Sequence, residues 1–297
     1  MNEKLNICPV CEQNTNEQFL LVEDHFLTKE KFLICRCLSC GFKFINPRPA
    51  NNEIGKYYQS EQYISHNSSR FNLLSFTYRI ARYFTIRGKY RLIKTSSNGT
   101  KLLDIGCGTG EVIKYCKEHG FTVQGVEPTK SAREFAIEKN GLDVKASLEE
   151  VSLIPTRYNC ITLWHVLEHI HDLNSTLTLV KSLLDPEGAL IIAVPNSDSY
   201  DAKVYGEFWA AYDVPRHLYH FTKDTMKILA QKHGFTIQKM VPQKLDAYYV
   251  SLLSEKYKNG HANYFMAFIN GFRSNREGKN NGSGHSSLIF LLTHKKV

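Results

Sequence analysis

The sequence predicts an α/β fold with a mostly parallel sheet, preceded by a small cysteine-containing module and a helical connector. Three observations support this. A buried strand pattern at residues 101–105 runs into a glycine turn and then a helical pattern. From there to about residue 241, short apolar strands alternate with amphipathic helices, which is typical of a parallel sheet. Two C-x-x-C pairs near the start are typical of a small metal-bound unit.

The central feature is the turn after the first of these strands. Glycines follow at positions 106, 108 and 110, and Glu111 begins a helical pattern. Glycine lets a ligand approach the backbone closely, and the next helix offers free N–H groups at the same place. The spacing D-x-G-x-G-x-G differs from the dinucleotide fingerprint G-x-G-x-x-G. The sequence therefore predicts a ligand site here, although a tight strand–helix connection alone would use similar residues.

This stretch resembles motif I of the Rossmann-like, class I S-adenosylmethionine (SAM) methyltransferases. The resemblance covers roughly residues 95–245 and the last strand. It implies a seven-stranded, mostly parallel sheet with an antiparallel last strand. It also implies that Asp104 helps to hold the amino acid end of SAM, and that Glu127, at the end of the next strand, holds the ribose hydroxyls; a plain helix N-terminal acid is the alternative. Further cofactor contacts are expected at Gly106, Cys107, Gly108, Gly110, Pro128, Ser147, Trp164 and His165.

Length and composition fit a protein of about two domains. The chain has 297 residues, of which 42% are hydrophobic, enough for a substantial core. No stretch reaches the roughly 18 apolar residues of a membrane span, and the first residues lack the apolar core of a signal peptide. We therefore expect a cytoplasmic protein, in which eight cysteines favour metal binding or burial over disulfides.

Charge is unevenly distributed along the chain. Lys and Arg exceed Asp and Glu by 6 in residues 1–100 and by 5 in residues 254–297, whereas residues 101–253 have a net charge of −3. Basic flanks around a slightly acidic core suit an anionic substrate or partner. A solvated basic surface is the equally plausible alternative.

Two C-x-x-C pairs define the first unit, residues 1–50. Four thiolates from two such pairs can surround Zn²⁺ tetrahedrally, and so small a unit would depend on the metal for its stability. The prediction is a structural zinc ribbon, with Cys35 as a nearby strand residue. The proposed ligands are Cys8, Cys11, Cys37 and Cys40.

Residues 51–97 are predicted to form a helical connector. The family resemblance places Tyr57, Tyr58, Tyr63 and His66 where a segment often covers the SAM pocket. Residues 70–94 contain seven Lys and Arg and no acid, interleaved with aromatic residues. Such a helix can contact RNA or the surface of a membrane, although packing on the core is the more common arrangement.

The SAM methyltransferase domain is assigned to residues 98–297. Helices are expected at 130–139, 173–184 and 222–233, with strands at 142–146, 159–164 and 189–194. Residues 236–241 and 287–292 are expected to pair as the closing antiparallel hairpin. An insertion at about 246–285 would build part of the substrate pocket or a lid, with residues 275–284 as a loop rich in glycine and asparagine.

Polar residues follow the fourth and fifth predicted strands on the ligand side of the sheet. His165, Glu168 and His169 come first, and His217 and His220 lie in the second group. Because parallel strands bind ligands beyond their carboxyl ends, we expect catalysis here. A histidine could act as general base, the imidazoles and Glu168 could bind a divalent metal, or all could be structural.

The pattern around Glu168, His169 and a later histidine also resembles small-RNA 2′-O-methyltransferases and ubiquinone-pathway O-methyltransferases. The histidines favour an oxygen acceptor, and nitrogen and carbon remain open alternatives. Arg216 is predicted to bind a carboxylate or phosphate of the substrate. Aromatic residues are expected to form a wall over the substrate, with core packing as the alternative; they are Trp209, Tyr212, Tyr248 and Tyr249.

The prediction is a SAM-dependent methyltransferase acting on an oxygen of a small or anionic molecule. One alternative is an RNA methyltransferase that holds RNA with the zinc ribbon and basic helix, in a layout similar to that of rRNA guanine methyltransferases. Another is a SAM-binding protein without catalysis. The acceptor and the oligomeric state cannot be read from the residues.

Overall fold

The computed structural model describes residues 2–58, 73–281 and 284–295, and the side chains of residues 84–279 within the middle range. Tyr63 and His66, and the first part of the basic segment 70–94, lie outside these residues. None of the helices in the described part of the chain combines the length and hydrophobicity needed to cross a bilayer.

The strands are β1 (Asn2–Glu3), β2 (Asn16–Glu23), β3 (Lys31–Cys37), β4 (Lys43–Ile45), β5 (Arg48–Pro49), β6 (Lys101–Ile105), β7 (Thr122–Val126), β8 (Val144–Lys145), β9 (Tyr158–Trp164), β10 (Leu184–Pro195), β11 (Tyr219–His220), β12 (Phe235–Pro242) and β13 (Ser287–His294).

Helices connect most of the core strands. Short 3-10 turns lie at Ile54–Tyr58, Leu167–His169, Gly206–Phe208 and Ala210–Tyr212. The helices are α1 (Leu73–Ser96), α2 (Glu111–Glu118), α3 (Lys130–Glu138), α4 (Leu148–Ser152), α5 (Leu173–Leu183), α6 (Tyr200–Tyr205), α7 (Lys223–Lys232), α8 (Asp246–Asn259) and α9 (Tyr264–Asn281).

The main sheet has seven strands in the order β12-β13-β10-β9-β6-β7-β8. The pairs from β10 to β8 are parallel, and β13 runs antiparallel to both β10 and β12. The predicted fold class and closing hairpin are therefore confirmed. The central strands are apolar on both faces because helices cover both, as Leu102, Leu103 and Ile161 show by their complete burial.

The N-terminal strands form a second, antiparallel sheet in the order β11-β4-β3-β2. Its edge strand β11 comes from residues 219–220, far along the chain, with Tyr219 opposite Phe44 and His220 opposite Lys43. Phe42 and Phe44 are fully buried in one cluster with Leu173 and Leu177 of α5. This shared burial joins the small sheet, which has little core of its own, to the main one.

The predicted loop at residues 275–284 is wrong for residues 275–281, because α9 continues to Asn281. Small or polar residues at helical spacing face inward on α9, with Ala267, Asn270 and Ser274 buried. A Cβ on Gly271 would come within 2.7 Å of the Tyr248 ring, so glycine permits close packing on α8. Tertiary packing therefore outweighs the low helix propensity of glycine and asparagine. The predicted strand at 142–146 is also shorter, spanning Val144–Lys145.

Candidate active site and metal centres

The glycine turn after β6 has a left-handed backbone at all three glycines. Gly106, Gly108 and Gly110 have φ of 70°, 56° and 80°. A Cβ on Gly106 would lie 2.4 Å from Cγ2 of Val166, and one on Gly110 would lie 2.3 Å from Cδ1 of Leu142. A Cβ on Gly108 would meet nothing within 4 Å. Two of the glycines therefore serve close packing, and Gly108 leaves bare backbone beside open space.

Glu127 follows β7 and faces this turn. Its Oε2 accepts a hydrogen bond from the backbone N–H of Gly108 at 2.8 Å, and its Oε1 accepts one from Thr129 at 2.8 Å. The neighbouring Pro128 offers its carbonyl oxygen to Arg133 at 2.9 Å. The structure thus brings the predicted acid to the glycine turn, at the carboxyl edge of the parallel strands.

Asp104 and Trp164 lie beside the turn, at neighbouring strands. Thr162 donates to Asp104 at 2.5 Å, and burial raises the pKa of Asp104 to about 6 despite that hydrogen bond. Lys89 of α1 lies 4.5 Å from the centre of the Trp164 ring. The indole N–H of Trp164 is buried without a hydrogen-bond partner in the described part of the chain. These groups offer a cation, a carboxylate and an unused donor to a polar ligand.

Two of the predicted cofactor contacts have other structural roles. The Cys107 sulfur lies within 2.6 Å of the place where a Cβ of Gly125 would be, so its side chain packs against β7. Ser147 begins α4 and accepts a hydrogen bond from the backbone N–H of Glu150 at 3.4 Å. Only the backbone of Cys107 remains for a ligand. The Ser147 hydroxyl could contact a ligand only while its oxygen also accepts the hydrogen bond from the N–H of Glu150.

His165 stands at the end of β9 with a positive φ of 56°. Its Nε2 lies 3.2 Å from a carboxylate oxygen of Asp246 and 3.1 Å from Oε1 of Gln243, and its Nδ1 lies 3.5 Å from Glu168. Burial lowers the pKa of His165, but the two carboxylates more than offset this and raise it to about 10. In this arrangement the imidazole is charged at neutral pH, and a charged imidazole is no general base.

Glu168, His169 and His217 bring one potential ligand atom each to within 4.8 Å of the others. Glu168 is fully buried, and its one charged partner among the described residues is the imidazole of His165, with Nδ1 at 3.5 Å from Oε1. The carbonyl oxygens of Arg216 and Ala211 lie 2.9 Å and 2.8 Å from Nδ1 of His169 and His217. Because a carbonyl can only accept, both Nδ1 atoms carry protons and both Nε2 lone pairs remain available.

This donor set fits a divalent cation. Two neutral imidazoles, each held through its second nitrogen by a backbone carbonyl, and one carboxylate are typical metal ligands. Burial, and then the neighbouring His217, lower the pKa of His169 to about 4, so that it stays neutral at pH 7. A cation here would add a second positive partner to the buried Glu168 carboxylate, beside the imidazole of His165 at 3.5 Å.

His220 does not join this group among the described residues. It lies in β11, is 4% exposed, and packs its ring edge-on against Tyr212. Burial lowers its pKa well below the usual value. Its place in the N-terminal sheet favours a structural role over the predicted catalytic one.

The structure contradicts the predicted role of Arg216 as a substrate anchor. The side chain is buried, donating to Asp24 at 2.8 Å and to Asp213 at 2.7 Å. A third contact goes to the carbonyl oxygen of Tyr57 at 3.0 Å. All three guanidinium nitrogens thus donate within the protein, where Arg216 joins the N-terminal sheet to the segment after β10.

The aromatic residues predicted to line the substrate do not form one wall. Trp209 is fully buried and donates through Nε1 to Asp201 at 2.8 Å. Tyr212 packs against Trp209, Tyr248 stacks on Phe268, and Tyr249 is 63% exposed. Core packing, the alternative, accounts for the first two.

The four N-terminal cysteines converge as expected. Their sulfur atoms all lie within 4.8 Å of one another, with Cys8 and Cys40 at 3.6 Å and Cys11 and Cys37 at 3.5 Å. Cys35 is apart, with its sulfur directed at the carbonyl oxygen of Asn46. Four convergent thiols without a disulfide are compatible with the ligand set of a structural zinc site.

Sequence reasoning missed several residues that meet at this edge of the sheet. Lys89 and Asp246 come from the connector and the insertion, so no spacing within the core motifs could reveal them. Tyr58 lay among the predicted pocket residues, and its hydroxyl lies 3.0 Å from Nδ1 of His169. Tyr57 instead is buried and donates to Glu30 at 2.7 Å.

Comparisons with known proteins agree with this geometry. A family model described as a methyltransferase domain matches residues 77–240, more than half of the chain. The ubiquinone biosynthesis O-methyltransferase of Haemophilus ducreyi is 30% identical over 152 residues, which cover 46% of this chain and 64% of that protein. That of Aeromonas salmonicida is 27% identical over 183 residues, covering 58% and 76%. The chain thus matches less than two thirds of the length of the Haemophilus protein.

A solved structure has the same fold. The magnesium protoporphyrin IX methyltransferase of Synechocystis PCC 6803, with bound S-adenosylhomocysteine (SAH), superposes with a TM-score of 0.53. The alignment covers 81% of this chain and 97% of that one at 14% identity. At this identity the likeness concerns the fold alone.

Proposed function

The chain belongs to the methyltransferase domain family, and from that premise we propose that it transfers the methyl group of SAM to an oxygen of a small molecule. The observation that carries this proposal is the pairing of Glu127 with the bare backbone of Gly108 at the carboxyl edge of the sheet. A carboxylate at this position can accept hydrogen bonds from both ribose hydroxyls of a nucleoside.

The remaining cofactor contacts follow from charge and position. Asp104 is a carboxylate suited to an ammonium group, and Lys89 is a cation suited to a carboxylate, as SAM carries at its amino acid end. Gly106 and Gly110 fix the turn, and Trp164 and Ser147 offer donors near it. SAM supplies an activated methyl group on a sulfonium sulfur, which leaves as a neutral thioether. The protein's share is to align the acceptor with that methyl group.

We place the acceptor beside Glu168, His169 and His217, which would hold a divalent cation. Such a cation supplies Lewis acidity that lowers the pKa of a coordinated oxygen. The positively charged imidazole of His165 lies between Glu168 and Asp246, next to the proposed acceptor site. The relatives named O-methyltransferases support an oxygen acceptor over nitrogen or carbon.

The N-terminal unit is proposed to contain a structural zinc ion on Cys8, Cys11, Cys37 and Cys40. We retain the division into a ribbon at 1–50, a connector at 51–97 and a methyltransferase domain at 98–297. The ribbon is completed by β11 of the last unit, so its role is to support the segment that contains His217.

Isothermal titration with SAM, SAH and NAD tests the cofactor. We expect SAM and SAH to bind and NAD not to bind. Glu127→Gln should weaken SAM binding by about tenfold or more, because hydrogen bonds to a charged group are worth about 1.5–3 kcal/mol. Glu134→Gln, on the exposed side of α3, is the matched control and should bind like wild type. Binding of NAD with no binding of SAM or SAH would overturn the proposal.

The acceptor needs a separate experiment. Because the basic flanks of the chain also favour RNA, turnover should be compared between small phenolic acceptors and RNA, and RNA retention measured against salt concentration. Methylation of a small acceptor without RNA retention at low salt supports the proposal. SAM binding without turnover on any acceptor would instead favour the non-catalytic alternative.

A further inference from the structure

The outward face of α9 carries a cluster of exposed aromatic side chains. Tyr264, Phe265, Phe268 and Phe272 are 68%, 72%, 62% and 53% exposed. Single exposed apolar residues are ordinary on protein surfaces, but a contiguous group of this size marks an interaction site. We call this face of α9 the hairpin patch.

Helical spacing keeps the hairpin patch on one side. Phe265, Phe268 and Phe272 follow each other at intervals of three and four residues, and so share one stripe. The opposite stripe, with Ala267 and Ser274, is buried. The aromatic rings therefore cannot be core residues of α9, because its inward positions are already filled by small residues.

The exposed charges beside the hairpin patch are positive. Lys256 and Lys258 end α8, and Arg273, Arg276 and Lys279 continue the outer side of α9; all five are exposed. Of the three acids of the two helices, Asp246 pairs with His165, Glu255 is buried and accepts from Tyr205 at 2.9 Å, and Glu277 is half-buried. Aromatic side chains flanked by Lys and Arg are typical of helices that lie in the interface of a bilayer.

We propose that the α8–α9 hairpin docks this protein on the surface of an anionic lipid bilayer. The phenyl rings of the hairpin patch enter the headgroup region, and the Lys and Arg side chains contact lipid phosphates. The described helices are not of the spanning type, so this is contact from one side.

Charge and shape favour lipid over two other occupants. A second copy of the chain would bring the same positive side chains together, which repel each other. Single-stranded RNA is usually held in a basic groove with stacked bases, whereas these rings project from the outer side of a helix. The proposal does not depend on methyl transfer, because docking can be measured without SAM or an acceptor.

Vesicle co-sedimentation tests the proposal. Wild type is mixed with vesicles of phosphatidylcholine, with and without phosphatidylglycerol, at low and physiological salt. We expect binding to the anionic vesicles, with an affinity at least about tenfold lower for Phe265→Ser/Phe268→Ser. Arg273→Glu/Arg276→Glu should reduce binding about fivefold per charge removed, or more.

Matched controls use equally exposed residues elsewhere. Leu153→Ser removes an apolar side chain that is 84% exposed, and Lys130→Glu/Lys139→Glu reverses two exposed charges on and beside α3. Both should bind vesicles like wild type, and all variants should keep the wild-type melting temperature because no buried group is changed. Reduced vesicle binding by the control variants would overturn the assignment to the hairpin.

Other outcomes contradict the proposal directly. Failure of wild type to bind anionic vesicles at low salt would overturn it, as would unchanged binding by the Phe265→Ser/Phe268→Ser variant. Light scattering that finds a dimer disrupted by the same variant would assign the patch to a second copy. Loss of RNA binding in that variant, with vesicle binding intact, would assign it to nucleic acid.

Discussion

The backbone N–H of Leu218 donates a hydrogen bond to the carbonyl oxygen of Glu168 at 2.8 Å. This bond joins the segment after β9 to the segment after β10. Leu218 is also bound to the N-terminal sheet, because the N–H of Ile45 donates to the carbonyl oxygen of Leu218 at 3.0 Å. The position of His217 beside Glu168 and His169 is therefore fixed by two hydrogen bonds of the next residue, Leu218. One joins it to the segment after β9 and the other to the N-terminal sheet.

The metal centre is tested by Glu168→Gln. We expect the affinity for Mn²⁺, measured by titration of protein that already contains zinc, to fall at least about tenfold. Without Mn²⁺ the variant should melt lower than wild type, since it loses the buried ion pair between Glu168 and His165. His217→Ala should likewise lose Mn²⁺, whereas His119→Ala, on the exposed end of α2, should not. Unchanged Mn²⁺ affinity in Glu168→Gln would refute the site.

The glycine turn predicts different effects at two positions. Gly106→Ala should lower the free energy of unfolding by about 3 kcal/mol, since it combines left-handed backbone strain with a clash against the stiff Val166 side chain. Gly108→Ala has the strain alone and should cost about 1 kcal/mol, yet it should weaken SAM binding more because its methyl group enters the open space. Urea unfolding and calorimetry measure the two effects. Equal stability losses would contradict the packing argument.

The four-cysteine cluster predicts a zinc-dependent melting temperature. Cys37→Ser should contain less than half an equivalent of zinc by elemental analysis and melt at least about 10 °C lower, because the small sheet depends on its metal. Cys35→Ser is the control: its sulfur lies outside the cluster, so zinc content should stay near that of wild type. A zinc-free wild-type protein purified without chelator would rule out the structural ion.

Acid should weaken the fold through Asp24. Burial alone would raise the pKa of Asp24, but hydrogen bonds from Arg216 and Thr28 more than offset it and hold the pKa below its usual value. The folded state then binds fewer protons than the unfolded one. The stability from this group is therefore full above about pH 4 and is lost as pH falls through the lowered pKa.

The measurement is urea unfolding between pH 6 and pH 3. Asp24→Asn should lose about 3 kcal/mol at pH 6, because it breaks a buried ion pair, and should differ less from wild type at pH 3. Glu17→Gln, from the exposed pair with Arg36, should change stability by less than about 1 kcal/mol at either pH. A deficit of Asp24→Asn that stays constant with pH would show that the carboxylate's ionisation is not responsible.

Local pattern identified most of the core. Strand β6, the glycine turn and Glu127 are near one another in sequence, so a local pattern was enough to identify them. The predicted loop at 275–284 was wrong for residues 275–281 because the small residues of α9, such as Ser274, acquire meaning only when α8 packs on them. Arg216 likewise looked free because its partner Asp24 is distant in the chain.

By itself, the sequence determined the order of strands and helices, the cysteine pairs and the identity of the polar groups at strand ends, since these depend on periodicity and spacing over a few residues. Only the tertiary structure decided how those groups combine. It placed Asp246 on His165, brought Glu168 together with His169 and His217, and turned the rings of Phe265 and Phe268 outward. Such relations depend on which distant surfaces pack together, and that is fixed by burial across the whole chain.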